Sequence, residues 1–215
     1  MRIKGAIFDL DGTLLNSMFI WDTIGEDYLR SLGITPRAGL NETLKNMSLY
    51  QAACHYQKEY GVAATTDEIM CGVNGMIEHY YQHEVCVKEG VLEFLARLQQ
   101  RGIKMCIATA TDRHLVCAAL KRNKISDYFA EIFTCTSVGH GKDEPDIYEA
   151  ALRFLATQKA ETFIFEDALY AARTARTAGF PVVGVFDPGE KKSDELRAIS
   201  DFYLDTFMGA KEVLE

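Results

Sequence analysis

Beyond Gly90 the chain alternates two periodicities, and few folds accommodate that pattern. Val91, Phe94, Leu95 and Leu98 recur at helical spacing, and Gly102 follows as a C-cap. Ile103 to Thr109 is a short apolar run that reads as a buried strand. Leu115, Val116, Ala119 and Leu120 mark another helix, and Glu131 to Thr134 a short strand. The pattern repeats through a helix at 146–156, a strand at 162–165 and a helix at 168–178 stopped by Gly179. Strands at 182–186 and 201–204 complete it, and Ile3 to Leu10 supplies an isolated first strand. Strands alternating with helices imply an α/β fold with a doubly wound parallel sheet, Rossmann-like, covered on both faces.

Residues 16–85 break the alternation. Ile20, Ile24 and Tyr28 follow a helical period ended by Gly33, and one or two helices fill 40–60. Thr65 and Glu68 stand at capping-box spacing before Ile69, Val73, Met76, Ile77 and Tyr80. This is an all-helical block inserted after the first strand. The expected division is an α/β core of 1–15 and 86–215 with a helical insert of 16–85. At 215 residues the chain has room for a core and such an insert.

Composition removes several classes of function. A content of 48% hydrophobic and 25% charged residues excludes a disordered chain. Lysines and arginines number 23 against 31 acids, a net charge of −8, which disfavours nucleic acid or an anionic membrane as partner. A small phosphorylated ligand meets only the local field of its pocket. Cys54, Cys71, Cys86, Cys106, Cys117 and Cys135 form no CxxC pair and read as small apolar residues. The N-terminus reaches Asp9 before a signal-peptide core can form, and no apolar run approaches a membrane span. The expectation is a cytoplasmic protein, a monomer or weak dimer.

Four strand ends carry chemistry. The first runs into Asp9-Leu10-Asp11-Gly12-Thr13, two carboxylates two positions apart followed by a glycine that permits a sharp turn. Carboxyl ends of strands form the ligand crevice of a doubly wound sheet. Two carboxylates this close repel, and a divalent cation is a natural way to hold both. The second strand ends Thr109-Ala110-Thr111, a hydroxyl beside the free amides of a helix start, which suit an anion. Lys142 follows the third, and Glu166-Asp167 closes the fourth. Taken singly, each is as ordinary as a cap, a loop lysine or a dipole partner. Together they read as divalent metal plus phosphate.

In that order the four sites resemble the motifs of the haloacid dehalogenase-like superfamily, and the helical insert resembles that family's C1 cap. The stretches 141–146 and 165–179 look closest to its branch of β-phosphoglucomutase-like phosphatases. The resemblance implies a Mg²⁺-dependent phosphatase acting on a small phosphorylated metabolite. Asp9 would be the nucleophile and Asp11 the acid and base. Mg²⁺ would be held by Asp9, the Asp11 carbonyl and Asp167, with Glu166 joining or orienting that set. Thr109 and Ala110 would bind phosphoryl oxygens, and Lys142 would offset their charge. Arg37, on an inter-helix loop, is the insert residue expected to touch substrate.

Alternatives within the family are narrower. Dehalogenases lack the second aspartate, present here as Asp11. Mutases carry a histidine where this chain has Trp21, and no histidine precedes His55. A phosphonatase would need an insert lysine, for which Lys45 and Lys58 are available. His140, two residues before Lys142, is the histidine that merits testing. A P-loop would require glycine in place of Thr136 and a hydroxyl in place of Asp143. No GxSxG elbow occurs. A receiver-like phosphate-binding module, the rival outside enzymes, has no such helical insertion.

Overall fold

The computed structural model describes residues 3–44, 47, 49–210 and 213; Lys45 falls outside them. In chain order the elements are β1 (Gly5–Phe8), α1 (Met18–Ser31), α2 (Leu40–Leu44), α3 (Leu49–Tyr60), α4 (Thr66–His83) and α5 (Val91–Gln100). There follow β2 (Lys104–Thr109), α6 (Arg113–Arg122), β3 (Ile132–Thr134), α7 (Cys135–Val138) and α8 (Asp146–Leu155). The chain then forms β4 (Thr162–Glu166), α9 (Leu169–Thr177), β5 (Val182–Val185), α10 (Ser193–Ile199) and β6 (Phe202–Leu204). Its contacts divide it into two compact units, Met1–Asn16 with Val85–Glu215, and Ser17–Glu84.

The first unit is a six-stranded parallel sheet in the order β3-β2-β1-β4-β5-β6. Strand order reverses at β1, so its carboxyl end and that of β4 flank the switch point where such sheets bind ligands. Phe8 lies level with Ile107 on one side and Phe165 on the other. The residues after β1 and β4 therefore emerge side by side.

Alternate strand residues serve opposite faces. Ile7, Cys106, Ala108, Ile164 and Val182 bury against Ile147, Tyr148, Ala151 and Leu155 of α8 and Leu169, Ala172 and Ala175 of α9. On the other face Phe8 stacks on Phe165 at 4.2 Å between ring centroids and meets Phe94 of α5 edge-on. Each such side chain contributes about 1.5–3 kcal/mol by leaving water. Where the chain departs from this unit and returns to it, Leu15 bridges Val87, and the Asn16 N–H donates to the Cys86 carbonyl at 2.9 Å.

The second unit is helical. Ile20, Tyr28 and Leu29 of α1, Ala53 and Tyr56 of α3, and Ile69, Val73, Ile77 and Tyr81 of α4 are buried. Gly25 is needed where α1 approaches its neighbours: a Cβ there would lie 2.5 Å from a Leu44 methyl and 3.0 Å from the Tyr56 hydroxyl, which donates to the Gly25 carbonyl. Thr65 and Glu68 form the reciprocal capping box that their spacing predicts.

Two differences from the sequence reading have local causes. The first strand pairs only over Gly5–Phe8, because the chain turns at Leu10. The helices α7 and α10 are too short, at 4 and 7 residues, to show a period. No described helix is long and apolar enough to cross a membrane.

Candidate active site

The turn after β1 is built by its own backbone. The N–H groups of Leu14 and Leu15 both donate to the Leu10 carbonyl at 2.9 Å, and Gly12 takes a left-handed φ of +78°. A side chain at Gly12 would strain that conformation. The Asp9 N–H still donates to the Phe165 carbonyl at 3.0 Å, which fixes Asp9 beside the end of β4. Thr13, fully buried, donates its hydroxyl to Asp167 Oδ1 at 2.8 Å and ties the turn to β4 from its far side.

Lys142 occupies the centre. Its ammonium, with the side chain 3% exposed, is bonded to Asp9 Oδ1 and to Glu166 Oε1, the latter at 2.6 Å. Tyr148 of α8 donates to the same Glu166 oxygen at 2.8 Å. Burial works against the charged ammonium, but the Asp9 and Glu166 carboxylates outweigh it and hold Lys142 above its usual range. Burial, then the charges of Asp9 and Glu166, pushes the Asp167 carboxyl well above the usual carboxylate range, with Thr13 and Lys142 offsetting part. Burial also raises Glu166, against the pull of Lys142.

Asp9, Glu166 and Asp167 are all buried, and each offers a carboxylate oxygen within 4.8 Å of the others. Ionised together, these three carboxylates would carry more negative charge than the one buried ammonium neutralises. Hard oxygen donors at this spacing with uncompensated charge fit a divalent cation such as Mg²⁺. Glu166 differs from its neighbours, since one of its oxygens already serves Lys142 and Tyr148.

Asp11, part-exposed, accepts at Oδ2 from the Thr111 hydroxyl at 2.6 Å. Thr109 is buried at the end of β2, and its Oγ1 accepts from the Thr111 N–H at 3.1 Å. Ala110 lies exposed in the bend between them. Arg37 belongs to the helical unit, where its guanidinium donates to the Glu59 carbonyl at 2.9 Å and covers the Tyr60 ring at 5.1 Å. Trp21 is exposed in α1. His140 is exposed and lies 3.4 Å from Asp146.

The sequence pattern by itself assigns no role to Thr13, Thr111 or Tyr148. Thr13 and Thr111 stood inside stretches already singled out. For Tyr148 the sequence holds no signal, because a tyrosine on the apolar stripe of α8 reads as packing.

Known proteins resemble this chain over most of its length. The model of the haloacid dehalogenase-like hydrolases matches residues 6–185. The pyrophosphatase PpaX of Anoxybacillus flavithermus is 30% identical over 193 residues, covering 86% of this chain and 84% of that protein. Hexitol phosphatase A of Escherichia coli is 28% identical over 195 residues, covering 88% and 86%. A Thermotoga maritima crystal structure ascribed to a β-phosphoglucomutase superposes with a TM-score of 0.86 at 21% identity, covering 99% of this chain and all of that one. The parallel sheet with acids at its switch point and the match over most of its length agree, and the chain belongs to the haloacid dehalogenase-like hydrolase family.

Proposed function

We propose that this hydrolase is a Mg²⁺-dependent phosphatase that cleaves a small phosphorylated metabolite, such as a sugar phosphate, through an aspartyl-phosphate. The observation that carries the reading is Asp9 held by Lys142 at the switch point, among buried acids. An anionic nucleophile attacks an anionic phosphoryl group only where fixed positive charge is at hand. The phosphatase relatives support the same reading.

In this account an Asp9 oxygen bonds to phosphorus as the bond to the leaving oxygen breaks. Asp11 supplies the proton that the leaving oxygen takes. Asp11, now a carboxylate, then accepts a proton from water as that water's oxygen attacks phosphorus. This releases inorganic phosphate and restores Asp9. Thr109, with the Ala110 amide, holds phosphoryl oxygens. Asp9, the Asp11 carbonyl and Asp167 would hold Mg²⁺, with Glu166 orienting that set through Lys142. The cation supplies positive charge where nucleophile and phosphate meet. We assign selection of the leaving group to the helical unit, with Arg37 as its contact.

Turnover of p-nitrophenyl phosphate and of a panel of phosphorylated metabolites tests the reading. Hydrolysis with Mg²⁺ that is lost in EDTA, restored by Mg²⁺ and absent from Asp9→Asn is the expected result. No hydrolysis above the Asp9→Asn control across the panel would overturn it.

A further inference from the structure

We propose that Thr111 is a positioning residue that holds Asp11 in the geometry for proton transfer. This rests on the acid–base reading of Asp11. The two residues are 100 positions apart, and the fold brings the Thr111 hydroxyl to 2.6 Å from Asp11 Oδ2. Asp11 is part-exposed, and its side chain can adopt only a few staggered rotamers. A hydrogen bond to one oxygen selects among them. Thr111 itself is 9% exposed, and a buried anchor fixes the oxygen it binds.

A second bond extends the device. The Thr111 N–H donates to Thr109 Oγ1 at 3.1 Å. That occupies an acceptor site of Thr109, whose own proton is the part of the hydroxyl suited to a phosphoryl oxygen. One residue thus links the phosphoryl-holding hydroxyl to the carboxylate that carries the proton. The backbone of Thr111 orients the first, and its side chain orients the second. The site for phosphorus and the site for the travelling proton are set by a single turn after β2.

Steady-state kinetics on p-nitrophenyl phosphate and on an alkyl phosphate, a poorer leaving group, test this. Thr111→Val should lower kcat about 10- to 100-fold, the scale of a misplaced reacting group. The loss should be larger on the alkyl phosphate, with KM unchanged. Thr111→Ser should restore most of the activity. In an Asp11→Asn background Thr111→Val should cost nothing further, because the residue acts through Asp11. Wild-type kcat in Thr111→Val, or the same fold-loss in both backgrounds, would overturn the proposal. Wild-type turnover in Asp11→Asn alone would remove the acid–base reading and this inference with it. Thermal melts accompany each variant, and Thr111→Ala replaces Thr111→Val if the latter does not fold.

Discussion

The two units bury different things. Among the described residues, the buried charged side chains are Asp9, Lys142, Glu166, Asp167 and Asp187, and all belong to the α/β unit. The helical unit buries Tyr28, Tyr56, Tyr81 and aliphatic residues, while its ion pairs, such as Arg30 with Glu26 and Asp27, stay on the surface. Burying a charge is costly unless it is paired, and exposed pairs contribute at most about 1 kcal/mol. The α/β unit therefore carries a cost that packing does not require. Asp9, Glu166 and Asp167 bear that cost at the switch point, where we propose the reaction takes place. The helical unit is built as a small core would be, and among the described residues it buries no charged side chain.

Substitutions in each unit sharpen the contrast. In the α/β unit, Asp11→Ala should lower kcat by roughly 10²- to 10⁴-fold, the usual loss on removing an acid–base group, while the melting temperature hardly moves. Near-normal turnover would break the comparison at its chemical side. In the helical unit, Thr65→Ala removes the capping box of α4 and should cost about 1 kcal/mol in denaturant unfolding. Its kcat on p-nitrophenyl phosphate should equal that of the wild type. A kcat that fell with stability would tie the folding of α4 to the chemical step.

Much of this architecture was legible in the sequence for a physical reason. Buried parallel strands must be apolar runs, and the acids that end them at Asp9 and Glu166 interrupt the run where the chain meets the crevice. Lys142 was legible only because it followed a strand in the same order. The bonds that organise the site were not. Thr111 to Asp11 spans 100 residues and Tyr148 to Glu166 spans 18, and neither leaves a local pattern. The net charge of −8 is likewise misleading without the fold. Lys142 sits between two of those acids, and the excess that remains around it suits a cation.

The claim on which the rest depends is that Asp9 becomes phosphorylated. Acid quenching during turnover of a phosphorylated substrate, followed by borohydride reduction and peptide mass spectrometry, tests it directly, because an acyl phosphate is reduced and a free carboxylate is not. Homoserine in place of Asp9 is expected in quenched, turning-over enzyme, and unmodified Asp9 when substrate is omitted. Active enzyme whose Asp9 resists reduction while another carboxylate is converted would contradict it.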